Sequence, residues 1–163
     1  VQVRTDRASR PSLERPGLYL HVPFCDSICP YCDFAVTIAG AERRAGFVQA
    51  IQAEARLAAR LEASAGSPRF KAIDTIYLGG GSPSALDAED LAQILAAVCR
   101  DLDVVTDPWI TMEINPEHVS LRSARDWRRL GIRTASLGLQ SLDDEVLARL
   151  GRRHDAATAR RAF

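Results

Sequence analysis

Four short stretches of the chain alternate apolar and polar residues, and each leads toward a longer segment with apolar residues three and four apart. Leu18, Leu20 and Val22 alternate with Tyr19 and His21, and Ile76 and Leu78 with Thr75 and Tyr77. Ile110, Met112 and Ile114 alternate with Thr111, Glu113 and Asn115. Ala135, Leu137 and Leu139 alternate with Thr134, Ser136, Gly138 and Gln140. A period of two predicts strands over residues 17–22, 73–78, 109–115 and 132–140. Helical spacing predicts a helix from Glu42 to Ala63, with Phe47, Val48, Ile51, Ala55, Ala58 and Leu61 on one stripe. Gly66-Ser67-Pro68 ends it in a turn. Asp87 is placed to cap a second helix that buries Leu91, Ile94, Leu95 and Val98. A third runs from Leu121 to Leu130 and stops at Gly131. Asp143 opens a short helix through Val146, Leu147 and Leu150, and Asp155 begins another that contains Phe163.

The order is a strand followed by a helix, four times, which implies an α/β fold with a parallel sheet. A sheet with helices on both faces reads apolar on both sides. Here every strand has one apolar and one more polar side, as in part of a TIM-like barrel with helices outside and a polar, ligand-filled interior. A polar face open to water is the alternative. In barrels the active site gathers at the carboxyl ends of the strands. A cysteine loop follows the first strand, Gly79-Gly80-Gly81-Ser82-Pro83 follows the second, Glu113 and Asn115 close the third, and Gln140 closes the fourth.

With 163 residues, 47% of them hydrophobic, the chain can build one domain with a sizeable core. Its zero net charge argues against a nucleic-acid binder. No apolar run is long enough to span a membrane. Residues 1–16 are polar, carry Pro11 and Pro16, and read as a flexible leader without the apolar core of a signal peptide. A cytoplasmic location follows, where an exposed thiol trio survives reduced.

That trio is Cys25, Cys29 and Cys32, spaced C-x₃-C-x₂-C within eight residues, with Pro23 and Pro30 keeping the segment out of regular helix. Three thiolates on so short a loop suit one centre. A four-iron cubane takes cysteine thiolates and would here keep one iron open. A disulfide framework would leave one thiol over. A zinc site stays open as an alternative, with His21 completing a Cys₃His set. The fourth cysteine, Cys99, lies beside the apolar stripe of its helix and reads as a small buried residue. His154 reads as turn or cap chemistry. The triple glycine lacks the spacing of a P-loop or a dinucleotide fingerprint. At a barrel rim, though, glycine admits close approach of a ligand to backbone N–H and C=O groups. Glu113, a carboxylate on the inner side of a strand, is expected to have a cationic partner because desolvating an unpaired charge is costly.

From Leu18-Tyr19-Leu20-His21-Val22-Pro23-Phe24-Cys25 into C-x₃-C-x₂-C, the sequence resembles the radical S-adenosylmethionine proteins. Within them it is similar to the group that holds oxygen-independent coproporphyrinogen III oxidase and the heme chaperones. The resemblance runs from about Gly17 to Phe163. It implies a [4Fe-4S] cluster on Cys25, Cys29 and Cys32, with S-adenosyl-L-methionine on the fourth iron. Gly80, Gly81, Ser82, Glu113, Gln140 and Arg152 are implied cofactor contacts, together with Tyr19 and Tyr31. Ser82 stands where the family usually has threonine. Reduction of such a cluster cleaves the sulfonium to a 5′-deoxyadenosyl radical, chemistry that belongs to the cofactor.

Two departures from the family shape the functional expectation. The oxidases carry a further cysteine two residues after the third; this chain has Phe34 there, as the heme chaperones do. Heme binding and delivery to an acceptor protein is therefore expected, the oxidative decarboxylation of a porphyrinogen by an oxidoreductase being the alternative. Both imply a heme or porphyrinogen ligand and an electron-donor protein. The family barrel also has six βα units, so residues 17–163 are expected to be the N-terminal part of the core domain. A partial barrel would leave an unpaired strand edge prone to aggregation.

Overall fold

The computed structural model describes residues 14–38, 40–65 and 72–163. The leader reading, residues 14–16 apart, and the turn at residues 66–68 lie outside them. Four strands, β1 (Gly17–Val22), β2 (Ile73–Gly80), β3 (Val104–Ile114) and β4 (Ile132–Leu137), form one sheet in sequence order. Every neighbouring pair is parallel. Helices α1 (Ala41–Ser64), α2 (Ala88–Asp101) and α3 (Leu121–Arg129) connect the strands, and α4 (Asp144–Arg149) and α5 (Ala156–Ala162) follow β4. Single 3₁₀ turns at Pro83–Ala85 and Pro116–His118 each begin with a proline, whose fixed φ suits a first helical position.

Local chemistry sets the boundaries. The side chains of Asp87, Asp143 and Asp155 accept backbone N–H bonds at the starts of α2, α4 and α5. Ser120 and Ser123 cap α3 reciprocally, and Gly131, at φ 85°, follows it in the left-handed conformation. β3 begins earlier than expected, at Val104, although Pro108 lies within it. The β2–β3 register shifts between Ile73 and Thr75, so Val104 pairs with Ile73 and the ladder resumes at Trp109. β4 ends earlier, at Leu137. After Gly138 donates to Ile114 O, the chain folds on itself through bonds from Leu139 N to Leu137 O and from Ser141 N to Leu139 O.

The apolar sides of β1, β2 and β3 make the core. Leu20, Val22, Ile76, Leu78, Ile110, Met112 and Ile114 are buried against Val48 of α1, Leu91, Ile94, Leu95 and Val98 of α2, and Trp127 of α3. Three expectations need correction. Ala135 is exposed, so the apolar side of β4 is incompletely covered among the described residues. Ala58 and Leu61 are also exposed, because α1, about 36 Å long at 24 residues, outruns the β2 strand it leads into, about 26 Å at 8 residues. Cys99 is exposed rather than buried beside the stripe of α2. The opposite face of the sheet stays open: Tyr19 stacks on Tyr77 at 6.0 Å, and Tyr19 keeps 55% exposure. No helix among the described residues is long and apolar enough to cross a membrane.

Candidate cluster and cofactor site

A cavity of about 320 Å³ opens at the carboxyl ends of the strands, and segments after all four contribute to it. From the first comes the cysteine loop. Cys25 N donates to Thr37 O at 3.0 Å and Thr37 N to Pro23 O at 2.8 Å, which closes the loop at its base. Cys25, Cys29 and Cys32 all line the cavity, as do Tyr31 and Phe34. The thiol of Cys25 is pushed up from its ordinary value by burial, then by the neighbouring Cys32 and Cys29, while Arg152 opposes the shift. Tyr31 is likewise pushed up, by burial and by a hydrogen bond to Cys29.

The donor set is three soft thiols crowding one cavity, with a guanidinium beside them; this fits a thiolate-ligated cluster. It leaves no free histidine for the Cys₃His zinc alternative. His21 has both ring nitrogens engaged, with Tyr19 OH at 3.2 Å and Ala35 O at 2.9 Å.

Gly80, Gly81 and Ser82 line the cavity beside the cysteines. Their glycines answer to the protein's own packing. Gly80 has φ 112°, and a Cβ there would meet His21 at 2.5 Å; one on Gly81 would meet Phe24 O at 2.8 Å. The expected free N–H groups are already engaged: Gly80 N with Glu113 Oε2, Gly81 N with Val22 O and Ser82 N with Phe24 O. The rim therefore holds the cysteine loop by hydrogen bonds and offers a ligand its surface and carbonyl groups. Ser82 is only 2% exposed, its hydroxyl 3.1 Å from Ser84 Oγ.

Glu113 finds its partners in donors rather than in a cation. Tyr77 OH donates to Oε1 at 2.8 Å and Gly80 N–H to Oε2 at 3.1 Å, leaving further acceptor capacity toward the cavity. The same bond pushes the Tyr77 phenol up from its ordinary value. Gln140 lines the rim with φ 63°, a left-handed conformation uncommon outside glycine. Tyr19 lies on the same open face of the sheet but does not line the cavity.

Arg152 is not a solvated helix end. α4 closes in a Schellman motif: Gly151, at φ 66°, donates to Ala148 O and Arg152 N to Leu147 O. The turn aims the guanidinium into the cavity. Nη2 donates to Asn115 Oδ1 at 2.8 Å and to Gly138 O at 2.9 Å, and Nη1 reaches Cys29 Sγ at 3.7 Å. Its Nε is buried with no partner among the described residues. His154 is also more than a cap. It is 5% exposed, with Nε2 3.2 Å from Leu139 O and Nδ1 3.3 Å from Glu117 Oε2. Sequence reasoning missed Asn115 as a holder of Arg152, and it missed Asp26, Ser84, Glu117 and His118. Asp26 sits inside the cysteine motif, but no spacing rule pairs it with residues 92 positions away.

Residues 19–163 match the Radical SAM superfamily. The chain is 34% identical over 157 residues to the heme chaperone HemW of Haemophilus influenzae, covering 93% of the chain and 39% of that protein. It is 36% identical over 147 residues to HemW of Escherichia coli, covering 90% and 37%. It is 32% identical over 149 residues to the mitochondrial radical S-adenosyl methionine domain-containing protein 1 of Bos taurus, covering 91% and 32%. The chain thus spans less than two-fifths of the length of these relatives. Among solved structures, the coproporphyrinogen III oxidase HemN of Escherichia coli, a radical SAM enzyme, superposes with a TM-score of 0.77 at 24% identity. That alignment covers 90% of this chain and 33% of the oxidase, a likeness of fold. Four parallel strands alternating with helices in a partial barrel and a family match over most of its length go together, and the chain belongs to the radical SAM superfamily.

Proposed function

We propose that the chain is the cluster- and cofactor-binding part of a heme chaperone of HemW type. Cys25, Cys29 and Cys32 would hold a [4Fe-4S] cluster. Gly80, Gly81, Ser82, Glu113, Gln140 and Arg152 would surround S-adenosylmethionine, with Tyr31 beside the cluster and Tyr19 deeper on the open face. Together the two groups supply one-electron chemistry; the residues of this chain orient them and exclude water. The observation that carries the chaperone reading is Phe34. It lines the cavity with 71% exposure at the position where the oxidases place a further thiol. The cargo would be heme, passed to an acceptor protein in the cytoplasm, with an electron-donor protein reducing the cluster. The retained cofactor residues support the second reading, a porphyrinogen-oxidising enzyme.

The test is anaerobic reconstitution followed by two assays. Iron and sulfide should reach about four each per chain, with the broad visible absorbance of a cubane. Cys25→Ala, Cys29→Ala or Cys32→Ala should abolish this, and Cys99→Ala should leave it intact. Heme titration should then give saturable binding, and coproporphyrinogen III with reductant and S-adenosylmethionine should stay unconverted. Multiple turnovers to protoporphyrinogen would restore the oxidase reading.

A further inference from the structure

Beneath the cysteine loop runs a line of hydrogen bonds that the cluster and cofactor contacts leave unexplained. Asp26, next to Cys25, faces His118 Nε2 through Oδ2 at 2.5 Å and Arg44 of α1 through Oδ1 at 3.7 Å. His118 Nδ1 lies 2.8 Å from Ser84 Oγ. Ser84 Oγ accepts from Asn115 N–H at 3.1 Å and lies 3.1 Å from Ser82 Oγ. With the imidazole neutral, donor and acceptor rules allow one orientation. A carboxylate only accepts, so His118 Nε2–H donates to Asp26. Nδ1 must then accept from the Ser84 hydroxyl, and Ser84, its one hydrogen committed, accepts from Ser82. Every group is satisfied, and the line leads from the glycine rim to the residue after the first cluster cysteine.

A serine, a histidine and an aspartate in sequence suggest a nucleophilic triad, but the surroundings exclude it. Ser84 is 7% exposed, and its oxygen already accepts from both Asn115 N–H and Ser82. What the line does is brace. It joins the cysteine loop (Asp26), the turn after β2 (Ser82, Ser84) and the turn after β3 (Asn115, His118). Arg44 adds α1 by donating to Ala85 O at 2.6 Å. Ser82, Asn115 and Cys25 all line the cavity.

We propose that His118 is a positioning residue that holds the cysteine loop in register with the glycine rim, so that cluster-binding and cofactor-binding surfaces are fixed relative to each other before either group arrives. This rests on the cluster and S-adenosylmethionine reading above. The test compares wild type with His118→Leu, which breaks the line; His118→Gln, whose amide keeps a donor and an acceptor; and Asp26→Ala, which removes the acceptor at the far end. In the apoprotein, hydrogen exchange of backbone amides 25–37 should quicken in His118→Leu and return toward wild type in His118→Gln. After reconstitution, His118→Leu should keep its iron and lose about tenfold in S-adenosylmethionine affinity, the effect of one charge-assisted hydrogen bond. His118→Gln should recover most of that loss. Should His118→Leu fail to fold, Asp26→Ala, which removes the acceptor, must show the same faster exchange and weaker affinity, and its failure to do so overturns the proposal. Unchanged exchange and affinity in the folded variants overturn it as well. Absence of a cluster in the wild type would sink the functional reading, while the apoprotein exchange would still decide the role of His118.

Discussion

Arg152 Nη2 donates to Asn115 Oδ1 at 2.8 Å, so the turn after α4 and the end of β3, 37 residues apart in the chain, meet at one guanidinium. The same nitrogen reaches Gly138 O, and its neighbour reaches the thiol of Cys29. One side chain thus ties β3, β4 and the cysteine loop together across the cavity. Arg152→Ala removes those bonds and leaves Asn115 without its donor. The expected destabilisation is about 2 kcal/mol, the range for hydrogen bonds to a charged group. Lysine, a point charge without the planar fork, should rescue little of it. Chemical denaturation of the apoprotein at neutral pH measures both variants, and equal stability of Arg152→Ala and wild type would contradict the tie.

Two glycines give opposite outcomes for the same change. Gly151 is held at φ 66°, and a Cβ on it would meet Pro30 Cδ of the cysteine loop at 2.8 Å. Gly151→Ala therefore combines backbone strain with a clash, for a loss of about 1–3 kcal/mol and lower iron retention. Gly46 sits inside α1, and a Cβ on it would meet nothing within 4 Å. Gly46→Ala should stabilise by about 0.5–1 kcal/mol through helix propensity. Thermal unfolding of the pair reads both signs in one experiment.

The sequence made the strand faces legible because period-two alternation records which side of a sheet is covered. Leu20, Ile76 and Met112 are buried where the pattern placed them, and Tyr19 and Tyr77 face the open side. Caps were legible too, since Asp87, Asp143 and Asp155 act on residues two or three positions away. Contacts between distant loops were not. Nothing local tells that His118 meets Asp26 or that His154 is buried beside Glu117, because those partners are set by how four turns converge. The role of the glycine rim was half legible. Its place at the cavity follows from its position after β2, whereas the capture of its N–H groups by Val22, Phe24 and Glu113 depends on tertiary packing.

Alkaline pH should weaken the apoprotein. Burial and neighbouring thiols push Cys25 up, burial and Cys29 push Tyr31 up, and the bond to Glu113 and burial push Tyr77 up. All three are acids that are neutral when protonated, so above their unfolded values the folded chain holds more protons than the unfolded one. Their stabilisation is complete below the unfolded values and is lost as pH rises through the folded ones. The decline should begin near pH 8.5, where unfolded thiols ionise. Melting temperatures of reduced apoprotein between neutral pH and about pH 10.5 test this. Cys25→Ser should delay the onset, and a flat profile would count against the crowding of the thiols.

Glu113 separates a structural from a cofactor-binding carboxylate. Its two oxygens accept from Tyr77 OH and Gly80 N–H, which fixes the carboxylate at the cavity wall and leaves unused acceptor positions facing the opening. A purely structural role needs only those two bonds. Glu113→Gln keeps an acceptor for one of them and places an amide group opposite the other. A loss confined to stability is then the structural signature. A group that also receives hydrogen bonds from a cationic or hydroxyl-bearing ligand loses charge-assisted contacts in the same variant, each worth about 1.5–3 kcal/mol. The expected result for Glu113→Gln is a protein that folds, keeps its iron after anaerobic reconstitution and binds S-adenosylmethionine about tenfold or more weakly. Tyr77→Phe provides the control. It removes the donor to Oε1 while leaving the carboxylate charged, so it should change affinity far less than Glu113→Gln. Equilibrium titration on equal iron content measures both. Equal affinities in wild type and Glu113→Gln would return the residue to a role in tying β3 to the glycine rim.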